Sequence, residues 1–456
     1  MGMLLSESVE APPAKPVSGA EVVVIGAGFA GLAAAYELHH RGYRVTVVEA
    51  QRDFGGRVRS LYDVVPGKVV EGGGELIGSN HPTWNAYAAR FRLAFSDVVE
   101  GPNAPVILKA RKLTHARSHD LLKDMDRVLK ELADLSDRIE DPFSPWTARD
   151  ASTFDARPLH VWVKSLEASD LCKLAVELML STDNGVPANR QSFLGNLAMI
   201  RGGGGPSYWL ETERYRCIGG NRSLAEKLIE PVRQSVHFQA AVREIEVSGE
   251  GVKVLTKDGQ VFEARDAILA VPPSVWADIR FTPGLPRQLN LQMGANVKFL
   301  MSFKNEFWKK DRLSPNMTSD GAVELTWHST EKQGGPGHAV VGFSGADAAR
   351  KCASWRPTKR TENYIAQLRR VYKNVEPDLI DARFMNWPAD PWVRASYAFP
   401  KPGEITKCGP FLQEGIGHLH FAGEHTCYAF IGYMEGALNS GVRAARKLAR
   451  RDGMDS

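Results

Sequence analysis

Three groups of residues in this chain have the types and spacing to do chemistry. Gly26, Gly28 and Gly31 form the G-x-G-x-x-G run "GAGFAG", between the β-branched "EVVVI" and the small-residue pattern "GLAAAYELHHR". Gly26 permits a tight turn, Gly28 lets backbone approach a pyrophosphate, and Gly31 allows close helix–strand packing, so a helix N-terminus faces the phosphates. Glu49 ends the next apolar run, "YRVTVVEA", 18 residues past Gly31. A carboxylate there accepts ribose hydroxyls, so the whole pattern reads as a dinucleotide site. Gly55, Gly56 and Arg57 follow; this second glycine pair exceeds what a nicotinamide site needs and suits a longer, extended cofactor. The second group is Lys298 alone, inside the apolar "GANVKFLMSF". A charge there is costly without a partner or a task, and a salt-bridged strand-edge lysine is the plain alternative. The third is "FAGEHTCYAFIGYMEGALNSGVRAA", 421–445, which sets Gly423, Glu424, Gly432, Tyr433 and Met434 between an apolar strand and a helical pattern.

The elements that must position these groups are legible in outline. Strand 21–25, helix 31–41 ended by Gly42, and strand 43–50 form a βαβ unit, which implies a parallel sheet with a right-handed crossover. Residues 81–205 are mostly amphipathic helix, as in 121–139 and 168–180, and a run of four glycines, 202–205, reads as a hinge or loop. Strands return after 235, with a hairpin at "KDGQ" and a buried strand at "AILAVPP". Residues 286–400 mix strands at 298–303 and 338–343 with a helix at 360–374, before a last buried strand at 418–423. The expected fold is α/β: a Rossmann-like domain with a parallel sheet, interleaved with an α+β substrate-binding domain. The first would take 19–80, 212–285 and 408–452; the second, 81–211 and 286–407.

Composition narrows the function classes. The chain has 456 residues and a net charge of +4, with basic residues scattered. The local runs 109–117 and 443–451 read as solvated faces, not a nucleic-acid or membrane patch. Five cysteines stand far apart without a C-x-x-C pair, which argues against a disulfide framework or a metal site and suits a reducing compartment. Residues 1–18 read as a flexible leader, since acidic and proline residues replace the features of a signal peptide. No window reaches the roughly 18 apolar residues of a membrane span, so the expectation is a soluble, cytoplasmic protein. A homodimer is compatible with the sequence, which carries no direct signal of oligomeric state.

The stretch "VVVIGAGFAGLAAAYELHHRGYRVTVVEAQRDFGGRV" closely resembles the flavin-dependent amine oxidase family, which includes monoamine, polyamine and L-amino acid oxidases. Further matches are "EGGGELIG", "YRCIGGNRSLAEKL", "NVKFLMSF", "FAGEHT" and "GYMEGALNSG", so the resemblance spans nearly the whole chain. It implies FAD, lined by Gly26, Gly28, Gly31, Glu49, Gly56, Arg57, Gly73, Gly74 and Val242, with Glu424 on the ribitol and Met434 near the pyrimidine end of the ring. It also implies an aromatic cage of Tyr397 and Tyr433 for a neutral amine, Trp387 packed beside the flavin, and Lys298 holding a water against flavin N5. Such an enzyme passes hydride from the carbon bearing nitrogen to N5, releases an imine that hydrolyses, and returns the electrons to O2 as hydrogen peroxide.

Two positions depart from the family's pattern or vary within it. Ser396 stands where monoamine oxidases carry the cysteine that anchors the flavin, so noncovalent FAD is expected. Glu75 and Leu76 face the expected substrate pocket, where L-amino acid oxidases carry an arginine nearby. Glu75 either binds a second amino group or is a buried structural carboxylate; Arg59, Arg201 or Arg394 would restore an amino-acid substrate. The leading expectation is amine oxidation, followed by an L-amino acid oxidase of the same fold. Carbon–carbon dehydrogenation by a related flavoprotein, and a flavoprotein regulator without turnover, are more distant.

Overall fold

The valines of Glu21–Ile25 (β1) are buried on both faces, as the interior of a parallel sheet demands. In this computed structural model, which describes residues 21–99, 101 and 103–454, the expected leader lies outside the described residues. The chain turns into helix α1, Phe29–His40, and returns as Arg44–Val48 (β2), parallel to β1 with Val22 opposite Val45. On its other side β1 pairs in parallel with Asp266–Leu269, which in turn pairs with Leu419–Phe421. Val236–His237 closes the far edge beside β2, giving a five-stranded parallel sheet. Small residues let α1 lie tightly between this sheet and the helix Met434–Arg451: a Cβ on Gly441 would come within 2.2 Å of the Ala30 carbonyl oxygen. Glu37, buried in α1, is neutralised by Arg41 at 2.6 Å and accepts the Tyr87 hydroxyl at 2.9 Å.

Asp266 ties three of these elements together. Its carboxylate accepts Arg451 at 2.8 and 2.6 Å, lies 3.1 Å from His420 Nε2 and lies 3.2 Å from His418 Nδ1. Burial pushes this carboxyl up, but Arg451 and His420 outweigh it and hold the group well below the usual carboxylate range.

A second, seven-stranded sheet has Asn296–Phe303 as its second strand from one edge, buried at every position and flanked antiparallel by His338–Gly345 and Leu379–Met385. Its other edge takes Val106–Leu108 and Arg111–Lys112, so residues from before and after the helical region share one sheet. The helices between them include His115–Ser136, Asp170–Asn184 and Phe193–Gly202. The first starts six residues before the sequence pattern suggested, because Thr114 caps it by accepting the Arg117 N–H. The helix expected at 360–374 runs instead over Pro357–Leu368, with proline in its first turn. Of the four-glycine run, Gly202 still ends a helix, and the next three make the turn into Tyr208–Glu211. The "KDGQ" hairpin joins Val252–Thr256 to Val261–Ala264. All five cysteines are free and buried. Among the described residues no helix is long and apolar enough to cross a membrane, and no His, Cys, Asp and Glu group is placed to hold a metal.

Candidate active site

A cavity of about 1040 Å³ runs from the turn after β1 to the seven-stranded sheet. Of the residues expected to hold the cofactor, form the cage or face the substrate, all line it except Gly31. Gly31 sits behind the wall, where a Cβ would lie 1.9 Å from the Gly26 carbonyl oxygen. Its bare Cα is what lets α1 start against that turn.

The β1 end is built of backbone. Gly26 holds φ at +105°, and a Cβ there would press to 3.0 Å from the Ala270 carbonyl oxygen. Gly28 and Gly56 face each other, so a Cβ on Gly56 would lie 3.2 Å from Gly28 Cα. Glu49 is buried, and its two oxygens accept the N–H groups of Ala27 at 2.7 Å and Gln51 at 2.8 Å. Burial pushes its carboxyl up, and those N–H groups pull it back. Val242 stands alongside, at the start of Val242–Val247.

The middle is a junction of distant segments. Arg57 Nη1 donates to Glu424 Oε1 and to the Ser396 carbonyl, both at 2.8 Å. Glu424 also accepts the N–H groups of Gly432 at 2.9 Å and Ala398 at 3.1 Å. The carboxylate expected on the ribitol therefore also pins three segments together. Ser396 donates its hydroxyl to Asn296 Oδ1 at 2.7 Å. Gly73 admits no Cβ, since one would lie 1.8 Å from the Arg57 carbonyl oxygen, and Gly74 packs under Met434. Trp387 donates to the Gly72 carbonyl at 2.9 Å, with the Arg59 guanidinium 5.4 Å from its ring centre.

At the far end Tyr397 and Tyr433 line the cavity with both hydroxyls anchored. Tyr397 donates to the Asp183 carbonyl at 2.5 Å, and the Tyr433 hydroxyl meets that of Tyr208 at 2.7 Å. Burial, first among the causes, pushes both phenols well above the ordinary value, so they stay neutral. Among the described residues no ring contact joins the two, and His81 instead packs edge-on to Tyr433 at 5.5 Å.

Lys298 and Glu75 answer each other. Lys298 Nζ donates to Glu75 Oε2 at 2.7 Å and to the carbonyls of Gly73 at 2.9 Å and Glu71 at 3.3 Å. Glu75 Oε1 accepts Arg216 Nε and Trp327 Nε1, each at 2.9 Å, and Arg216 reaches on to Glu331. Burial raises the Glu75 carboxyl, but the Lys298 and Arg216 charges prevail and hold it low. Both Glu75 oxygens thus already accept protein donors, although the residue lines the cavity as expected. None of Arg59, Arg201 and Arg394 lines the cavity. Arg201 pairs with Asp137 at 2.7 Å and Arg394 with Asp278 at 2.6 Å, both on the surface.

Sequence reasoning passed over Asp183, Tyr208, Glu213, Arg216 and Trp327, all of which line the cavity. Asp183 lies within an amphipathic pattern and Glu213 within a charged run, "ETERYR"; neither carries a spacing signal.

The site fits a flavin dinucleotide. The glycine turns leave a wall that any Cβ would fill, a helix N-terminus faces it, and the cavity continues past the turn to a pair of aromatic rings. Together with the two-sheet fold, this defines a flavin-dependent oxidoreductase. The chain belongs to the flavin containing amine oxidoreductase family, whose description matches residues 29–449. It is 29% identical over 479 residues to amine oxidase [flavin-containing] B of Cavia porcellus, covering 94% of this chain and 86% of that one. A provisionally named flavin-containing monoamine oxidase AofH of Mycobacterium tuberculosis is 30% identical over 98% of this chain and 99% of its own. Among solved structures, putrescine oxidase bound to putrescine superposes with a TM-score of 0.86 at 24% identity, covering 95% of this chain and 99% of that one. Cyclohexylamine oxidase from Brevibacterium oxydans gives 0.86 at 22% identity, over 96% and 100%. The protein is an FAD-dependent amine oxidase, and the resemblance read from its motifs is its family.

Proposed function

We propose that the chain oxidises an amine held between Tyr397 and Tyr433, with O2 as electron acceptor and hydrogen peroxide as product. FAD, when bound, supplies the two-electron acceptor and passes those electrons on. The chain's own part is to bind, orient and exclude. The observation that carries the reading is the convergence of Tyr397, Tyr433 and Lys298 on the cavity that the glycine wall begins. Anchored hydroxyls hold the tips of both rings in place, so the rings can guide an uncharged nitrogen and keep water away. Lys298, held by Glu75 and two carbonyls, sets a positive charge beside the wall at Gly73. It supports oxygen reduction there. Ser396 offers no thiol, which supports noncovalent FAD, and the free cysteines support a cytoplasmic enzyme. Of the three arginines among the described residues that line the cavity, Arg57 and Arg216 are already paired with Glu424, Glu75 and Glu331, so an amino-acid substrate would have to meet its carboxylate at Arg214.

A peroxide-coupled screen of the yellow holoenzyme against monoamines, diamines, polyamines and amino acids tests this. Peroxide from amines supports the reading; peroxide from amino acids alone overturns the substrate assignment. Acid precipitation should release the flavin, and colour left in the pellet would contradict the noncovalent assignment.

A further inference from the structure

A hydroxyl anchor holds the tip of a tyrosine ring but leaves the ring free to turn about its own long axis, so a second contact must set its plane. For Tyr397 that contact is main chain: a Cβ on Gly432 would lie 3.2 Å from the Tyr397 Cδ2, so the bare Cα packs against the ring. For Tyr433 it is a side chain behind the cavity wall, His81, whose imidazole lies 5.5 Å from the ring between centroids, with the planes 63° apart. The same imidazole meets Phe430 edge-to-face at 5.7 Å, and the Tyr433 N–H donates to the Phe430 carbonyl at 3.2 Å, so one ring braces both ends of that turn. His81 is fully buried, and burial pushes its imidazole down to about 3, so it is neutral. The Gly78 N–H donates to Nδ1 at 2.9 Å, which assigns the ring proton to Nε2. Among the described residues that Nε2–H has no hydrogen-bond acceptor, and the ring neighbours of the imidazole are Phe430 and Tyr433, whose π-faces partly satisfy such a donor. The place of His81 is itself fixed. Helix Pro82–Phe91 starts at the next residue, and the N–H groups of Thr83 and Trp84 in its first turn are accepted by Glu435 at 3.0 and 2.9 Å. Glu435 stands two residues after Tyr433, so the helix start and the tyrosine are bolted to one turn.

We propose that His81 is a positioning residue that sets the ring plane of Tyr433 and, through it, the path of the amine nitrogen. The inference rests on the reading of Tyr433 as one wall of the amine site and deepens it. A neutral imidazole suits the task, since it braces the phenol without placing a charge beside a nitrogen that must itself be uncharged to react. Its bond to Gly78 and its ring contacts are separable by substitution.

The FAD-loaded full chain is mixed anaerobically with whichever of benzylamine, 2-phenylethylamine, hexylamine and putrescine gives peroxide fastest, and flavin bleaching is followed by stopped flow. His81→Asn keeps an acceptor for Gly78 and removes the ring. Its limiting rate of flavin reduction should fall about tenfold or more, with amine affinity within about threefold of the wild type. His81→Phe keeps a ring and gives up the acceptor, and its reduction rate should stay within about threefold of the wild type. Reoxidation by O2 should be unchanged in both, since Lys298 is untouched. A wild-type reduction rate in His81→Asn overturns the inference. So does an equal loss in His81→Phe at normal flavin content and melting temperature, the mark of a role confined to the Gly78 bond. Should His81→Asn fail to fold, Phe430→Leu loosens the imidazole from its other side and should lower the reduction rate about threefold; an unchanged rate there overturns the inference. Peroxide from none of the amines overturns the underlying amine-oxidase reading instead.

Discussion

At the β1 end of the cavity the decisive contacts are made by main chain: the bare Cα atoms of Gly26, Gly28, Gly31 and Gly56, and N–H groups that lock Glu49. At the tyrosine end they are made by side chains: Lys298, Glu75, Arg216 and Trp327 in one network, Tyr208 and Tyr433 in another. A wall of backbone cannot yield to an added atom, whereas side chains can be exchanged to change what is recognised. The first end therefore suits an invariant ligand, and the second a substrate that differs between relatives. The names of the similar solved structures fit that division, since one names putrescine and the other cyclohexylamine.

Substitutions at the two ends should consequently fail in different ways. The largest effect is expected at Gly31→Val, because the obstructing atom at 1.9 Å is a backbone oxygen. About 3 kcal/mol or more of stability should be lost, together with flavin retention. The ratio of flavin to protein absorbance and a thermal melt report both, and a stoichiometric, normally melting variant would remove the backbone argument. Asp266→Asn should cost about 3 kcal/mol, since it removes the buried charge on which Arg451, His420 and His418 converge and weakens the attachment of Leu419–Phe421, while Arg451 keeps Asp452. The native carboxyl is held below its unfolded value of about 3.9, so its contribution is present above that pH and is lost as pH falls through the lower folded value. Urea melts from pH 7 down to pH 3 should show a shallower acid limb in the variant than in the wild type.

Lys298→Met belongs to the other end. FAD should stay bound, while turnover falls about 100-fold, equivalent to about 2.7 kcal/mol. Stopped-flow reoxidation separates this from a binding defect, and unchanged kinetics would remove Lys298 from the reaction. Tyr433→Phe is the mildest change: it removes a hydroxyl pair at 2.7 Å and should cost about 1 kcal/mol, roughly fivefold in kcat/KM. A similar loss in Tyr208→Phe, without a further loss in the double variant, would show that the pair acts as a unit.

Legibility in the sequence followed the same division. The glycine turns and Glu49 were readable because backbone approach and a βαβ unit impose fixed spacings on one short segment. Lys298 was readable as an anomaly, a charge within an eight-residue buried strand, although its carboxylate partner, Glu75, stands 223 positions away. Tyr397 and Tyr433 came only through the resemblance, because no local rule marks an aromatic residue that faces a cofactor. Asp183 and Glu213 stayed hidden for a related reason. Charged residues in helical or loop segments ordinarily face solvent, and only the tertiary fold turns these two toward a cavity. The start of His115–Ser136 was misplaced because a cap outweighed the apolar periodicity.

The parallel arrangement around β1 has a consequence for how the molecule is made. Between Ile25 and Asp266, where β1 meets its second neighbour, 240 residues intervene, and Leu419–Phe421 comes later still. A growing chain thus carries an unpaired apolar strand edge through most of its synthesis, a state open to mispairing. The wall that begins at Gly26 gains Glu424 and Gly432 only after that wait. Captured flavin is therefore a receipt for long-range closure of the chain, and flavin supplied during expression should raise the yield of soluble protein by drawing the last step forward.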